Sequence, residues 1–150
     1  MTTASRLRRP AALAAAAALA LGGLTGCTQI DELTGRADEA RASLQGLEEM
    51  SRETLDSFDW SVLDEYGGTL LGDNSKVTEM FRSMPGAEDI KDFHIKGDQG
   101  VLEVRYGDEA LQADPAVLEE TLREQAEQAK QRIENLKTVE FRVGDKTYTF

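Results

Sequence analysis

The stretch DFHIKGDQGVLEVRY (residues 92–106) decides the fold, because two runs of alternating residues flank a single turn. Before the turn GDQG, apolar residues alternate with polar ones: Phe93 and Ile95 with Asp92, His94 and Lys96. After it, three large apolar residues alternate with their neighbours: Leu102, Val104 and Tyr106 with Val101, Glu103 and Arg105. Period-two alternation on both sides of a glycine turn predicts a β-hairpin with one buried face and one exposed face.

The residues around this hairpin extend it into an α+β domain. The segment ADPAVLEETLREQAEQAKQRIENLK (113–137) predicts a helix that Asp114 caps and Pro115 begins. Its apolar side consists of Leu118, Leu122, Ala126, Ala129, Ile133 and Leu136. A second hairpin is predicted around the turn Gly144–Asp145. A short helix is predicted to begin at Asn74 or Ser75, either of which can cap it. We therefore expect an antiparallel sheet of two hairpins with helices packed on one face.

An apolar stripe along residues 30–58 predicts a long N-terminal amphipathic helix in front of this domain. Its members are three or four residues apart: Ile30, Leu33, Ala37, Ala40, Leu44, Leu47, Ser51, Thr54 and Phe58. This spacing suits either a coiled coil or partner-binding helix, or a helix packed on its own domain. Packing on its own domain is the favoured interpretation, because a coiled coil needs three or four strong heptads and Ser51 and Thr54 weaken this seam.

The first 27 residues have the layout of an export signal. Arg6, Arg8 and Arg9 precede an alanine- and leucine-rich run, which ends in GGLTGC (22–27). The sequence LTGC resembles the lipobox of bacterial lipoproteins. The resemblance implies a diacylglycerol on the sulfur of Cys27 and cleavage of the signal between Gly26 and Cys27. We therefore expect a protein anchored by lipid to the extracytoplasmic face of the cell membrane.

This interpretation divides the chain into three parts: a signal peptide at 1–26, a lipidated cysteine and tether at 27–30, and a single acidic α+β domain at 31–150. Without the signal, the chain has 14 basic and 28 acidic residues, which gives a formal charge of −14. Such a surface repels nucleic acid and anionic headgroups, so the lipid anchor is the expected membrane contact and no nucleic-acid partner is expected. Across roughly residues 76–150, the order of elements is similar to that of small extracytoplasmic modules of the GerMN type.

Residues typical of catalysis are sparse. His94 is the single histidine, and it is predicted on the exposed strand face beside Asp92 and Lys96. Cys27, the single cysteine, is assigned to the lipid. No nucleophile and base can be paired, so we expect no catalytic residues, no metal site and no cofactor. The acidic doublets are interpreted as solvated surface, whereas two carboxylates converging in a cleft would indicate an envelope hydrolase.

The leading functional hypothesis is a non-enzymatic lipoprotein that binds an unidentified protein or envelope ligand. Trp60, Tyr66 and His94 are the candidate contact residues. The alternative hypothesis is a carrier of a lipid or small molecule. Its apolar pocket would be lined by adaptable side chains, namely Met50, Met80, Phe81 and Met84.

Overall fold

The computed structural model describes residues 45–150, and these form an α+β fold. The strands are β1 (Ile90–Lys96), β2 (Val101–Tyr106), β3 (Thr138–Val143) and β4 (Lys146–Thr149). The α-helices are α1 (Arg52–Ser57), α2 (Asn74–Arg82) and α3 (Pro115–Arg132). Short 3-10 helices connect them at Leu47–Glu49, Trp60–Tyr66, Ala87–Asp89, Gly97–Gln99 and Asp108–Gln112. The predicted signal peptide, the cleavage site at Gly26 and Cys27, and the tether lie outside the described residues.

Both predicted hairpins are confirmed, but the sheet that they form is mixed. The strand order is β1-β2-β3-β4, with β1 antiparallel to β2 and β3 antiparallel to β4. The central strands β2 and β3 are parallel, which corrects the expectation of an antiparallel sheet. The reason is the 18-residue helix α3 between them, because a crossover helix returns the chain to the end of the sheet where β2 began.

The core lies between the helices and one face of the sheet. Phe141 of β3 is fully buried at its centre, and its ring centroid is 6.4 Å from that of Phe81 in α2. The rings of Tyr106 and Phe150 lie 6.2 and 6.1 Å from Phe141. Helix α3 contributes its predicted apolar side to this core, with Leu118, Leu122, Ala126 and Ala129 buried. The expectation of helices on one face of the sheet is confirmed.

Each of the two longer helices, α2 and α3, has an aspartate at its N-cap position. Asp114 accepts hydrogen bonds from the backbone N–H groups of Ala116 and Val117, and Pro115 occupies the first turn of α3, as predicted. Helix α2 is capped by Asp73, whose carboxylate accepts from Lys76 N–H, rather than by Asn74 or Ser75. A carboxylate at this position also suits the positive end of the helix dipole.

The predicted long N-terminal helix is interrupted in its described part. Over residues 45–58, Met50 and Ser51 have extended backbones between the 3-10 helix Leu47–Glu49 and helix α1. The Ser51 hydroxyl accepts the Thr54 N–H and so begins a new helix, which explains the break at the weakest position of the stripe. The remainder of that helix, residues 30–44, lies outside the described residues. None of the helices described is long and apolar enough to cross a membrane.

Candidate functional site

One face of the sheet points away from the helices, and we call it the open face. Strand register assigns eleven side chains to it: Asp92, His94, Lys96, Val101, Glu103, Arg105, Thr138, Glu140, Arg142, Thr147 and Thr149. Most of these residues are exposed or half-buried, and they include charges of both signs. The open face is therefore a polar surface on a rigid support.

Glu103 is the exception on the open face, because it is only 2% exposed. Its Oε1 accepts a hydrogen bond from Nε of Arg105 at 2.7 Å and lies 3.0 Å from Nε of Arg142. Its Oε2 lies 3.8 Å from Nζ of Lys96. The three basic side chains come from β2, β3 and β1, so one carboxylate connects three strands.

The basic neighbours keep this carboxylate ionised. Burial on its own would raise the pKa of Glu103, but the hydrogen bond from Arg105 and the charges of Arg142, Arg105 and Lys96 outweigh it and lower the pKa below its usual value. The hydrogen bond to Glu103 in turn raises the pKa of Arg105. A carboxylate with these partners accepts hydrogen bonds and does not supply protons near neutral pH.

Strand alternation alone predicted an exposed Glu103, and the structure shows why it is buried. The tripeptides Glu103-Val104-Arg105 and Glu140-Phe141-Arg142 lie side by side in parallel strands, with glutamate opposite glutamate and arginine opposite arginine. Arg142 therefore reaches Glu103 diagonally, while Arg105 reaches it from two residues along β2. The repeated Glu-x-Arg pattern is the sequence signal that could have indicated this cluster.

A second feature is an acidic cleft of about 470 Å³ beside the N-terminal end of the described chain. Acidic side chains surround Lys91 in its lining, which consists of Gly46, Glu48, Glu49, Glu88, Asp89, Lys91 and Glu109. The Asp89 carboxylate accepts the Leu47 N–H at 2.6 Å. Within residues 45–150, no group of three or more His, Cys, Asp or Glu side chains is placed to hold a metal ion. The cleft therefore contributes negative surface that disfavours anions.

A protein-family profile described as a domain of unknown function, DUF4825, matches residues 63–150. The chain belongs to the DUF4825 family. The matched range contains all four strands, helices α2 and α3, and Glu103 with its three basic partners. Beyond this family, no curated protein and no solved structure matches the chain significantly.

The three candidate contact residues are not brought together in the structure. His94 is exposed on the open face. Trp60 is half-buried on the helix side, where its ring packs edge-on against Phe58 and its carbonyl accepts from Arg132 of α3. Tyr66 is only 7% exposed and belongs to the core, where burial raises its pKa. Of the three, His94 offers the most accessible side chain.

The side chains suggested for a carrier pocket are packed inside the DUF4825 fold. Met80, Phe81 and Met84 are fully buried members of the main core, where the Phe81 ring faces Phe93 and Phe141. Met50 is also buried, at 6% exposure. The spacing of Met80, Phe81 and Met84 on and after helix α2 places these three against the sheet as core residues.

Proposed function

We propose that this chain is a bacterial lipoprotein whose DUF4825 domain is held at the extracytoplasmic face of the cell membrane by a diacylglycerol on Cys27. The sequence LTGC behind a basic and then apolar leader supports this assignment. Two acyl chains are enough for stable anchoring, so a spanning helix is not required. The similarity to extracytoplasmic modules of the GerMN type stays a prediction.

We further propose that the domain binds a protein or envelope ligand through the open face and does so without catalysis. The observation that carries this proposal is the Glu103 cluster, which fixes three neighbouring strands beneath exposed side chains of both charges. Among the described residues, Glu103 is the one buried residue with a charged side chain. Its two carboxylate oxygens are paired with Lys96, Arg105 and Arg142. A rigid, pre-organised polar surface suits the recognition of a partner.

A capture experiment from envelope extracts tests the binding proposal. The bait is the protein isolated from membranes in detergent, either as wild type or with His94→Asp and Thr147→Asp, two exposed positions on the two edge strands of the open face. The matched control carries Gln99→Asp and Ser75→Asp, which change the charge equally at exposed positions away from that face.

We expect the wild type and the control to recover the same partner, and the open-face variant to recover at least several-fold less. Thermal melting of all three baits shows that they are folded. Equal recovery by the two double variants, or no partner that depends on the folded domain, would contradict the proposal.

A lipid or small-molecule carrier is the second candidate from the sequence. Native mass spectrometry of the protein isolated from membranes separates it from a binding module. A ligand that stays bound inside the folded domain, beyond the covalent acyl chains on Cys27, would favour the carrier.

A further inference from the structure

Among residues 45–150, nothing pairs with the outer edge of β1. This strand is the first in the order β1-β2-β3-β4 and pairs with β2 on one side only. Within the described chain, no other backbone hydrogen bond engages residues 92–96. A free strand edge presents unpaired N–H and C=O groups that another strand can join.

The geometry of β1 limits this pairing to five residues. A register shift between Ile90 and Asp92 places a bulge at Lys91, and the Gly97–Gln99 turn follows Lys96. Bulges twist an edge and end regular pairing, so the regular segment is 92–96 with His94 at its centre. Two such segments overlap completely in an antiparallel arrangement only when a two-fold axis passes at His94.

That register is self-complementary. It places Asp92 of one copy opposite Lys96 of the other, twice by symmetry, and Phe93 opposite Ile95 on the helix side of the sheet. Phe93 and Ile95 are half-buried in the single chain, so a second copy would cover further apolar surface. Cross-strand pairs of opposite charge and of apolar side chains stabilise antiparallel strands.

We propose that two copies of this chain associate through residues 92–96 of β1 in this register, forming one continuous eight-stranded sheet. Residues 92–96 carry one aspartate and one lysine, so this segment is formally neutral on a strongly acidic molecule, and two copies can approach there with little repulsion. The other edge, β4, has four residues with the sequence KTYT and offers no such charge pairing. The two open faces would then form one surface.

Disulfide trapping in membranes that contain the anchored protein tests the proposal. In the proposed register, His94→Cys places two cysteines across the two-fold axis, at a Cα separation of about 4.5–5.5 Å that a disulfide accepts. Copper-phenanthroline supplies the oxidant. Thr147→Cys is the matched control, since Thr147 is exposed on the same face but on β4. The wild type reports any cross-link through Cys27.

We expect His94→Cys to give a band of twice the chain mass, and Thr147→Cys and the wild type to give none. In the His94→Cys background, Asp92→Lys replaces two attractive pairs by repulsive ones and should lower cross-linking roughly tenfold. Asp98→Lys makes the same charge change in the exposed turn and should leave cross-linking unchanged.

Three results would overturn the proposal: no dimer from folded His94→Cys, equal dimer from Thr147→Cys, or cross-linking of His94→Cys to a different protein. If His94→Cys fails to fold, sedimentation of the wild-type chain in detergent decides. A monomer at every concentration contradicts the proposal. A wild-type dimer that is lost in Asp92→Lys and kept in Asp98→Lys supports it.

Discussion

At the scale of single residues, the Glu103 carboxylate joins β1, β2 and β3 through Lys96, Arg105 and Arg142. Without it, Arg105 would keep Asp92 as a partner at 3.6 Å, and the guanidinium groups of Arg105 and Arg142 could both be hydrated, since both side chains are close to half exposed. The cost of losing this carboxylate therefore arises mostly from its own hydrogen bonds. Hydrogen bonds to charged groups contribute about 1.5–3 kcal/mol.

The lowered pKa of Glu103 makes this contribution depend on pH. Because the folded-state pKa lies below the unfolded value, the stabilisation is complete above the unfolded pKa and is lost as pH falls through the folded pKa. We expect Glu103→Gln to lower the free energy of unfolding at pH 7 and to lower it much less under acid conditions. Chemical denaturation at both pH values measures this difference.

Glu140→Gln is the matched control, because Glu140 lies beside Glu103 on β3 and makes no side-chain hydrogen bond or ion pair within the described residues. It should change the free energy of unfolding little at either pH. An equal loss for both variants at neutral pH would contradict the structural role given to Glu103.

Gly100 provides a second prediction at the residue scale. It ends the β1–β2 turn with φ +70°, and a Cβ there would lie 2.8 Å from the carbonyl oxygen of Asn135. Its own carbonyl accepts the N–H groups of Lys137 and Thr138, which positions the start of β3. Gly100→Ala should therefore destabilise the fold by about 1–2 kcal/mol.

Gly97→Ala in the same turn is the control for Gly100→Ala, since a Cβ at Gly97 meets nothing within 4 Å. Thermal denaturation of the two variants measures the effect. A melting temperature for Gly100→Ala that equals that of Gly97→Ala would show that the close approach to Asn135 is not required.

At the scale of elements, local signals predicted the hairpins and helix α3, but not how the hairpins join. Alternation assigns residues to faces of a strand, whereas strand neighbours depend on the path of the helix between them. The parallel pairing of β2 and β3 was therefore missed. Without it, Arg142 could not be placed beside Glu103, so the central cluster of the candidate site was missed as well.

Two consecutive buried hydrogen bonds connect helix α3 to the sheet and to the loop after α2. The Tyr106 hydroxyl donates to Oε1 of Gln125 at 2.8 Å, and Nε2 of Gln125 donates to the carbonyl oxygen of Pro85 at 2.7 Å. Burial raises the pKa of Tyr106, so the hydroxyl remains protonated and available as a donor. Strand β2, helix α3 and the loop after α2 are joined in this way.

Gln125→Met keeps the approximate volume of the side chain but leaves the Tyr106 hydroxyl and the Pro85 carbonyl without their partner. We expect a loss of about 1–3 kcal/mol in the free energy of unfolding, measured by denaturant titration. Gln131→Met is the same change at an exposed position of α3 and should alter stability by about 0.5 kcal/mol or less. An equal loss for both variants would show that the buried hydrogen bonds of Gln125 do not stabilise the fold.

At the scale of the whole molecule, the sequence supports the proposed membrane anchor, and the structure supports the proposed binding surface. The leader and LTGC are short, chemically specific signals that need no fold, and they support the proposed location of the protein. The α+β class follows from periodicity, and membership of the DUF4825 family covers the same region. A binding surface depends on side chains from separate strands, so its composition became visible only once the strands were placed.

Intact-mass spectrometry of the protein isolated from membranes tests the proposed lipid anchor on Cys27 most directly. We predict a chain that begins at Cys27 and carries the added mass of a diacylglycerol, whereas Cys27→Ser should retain residues 1–26 without acylation. An unacylated wild-type chain, whether full-length or cut at another position, would contradict the account.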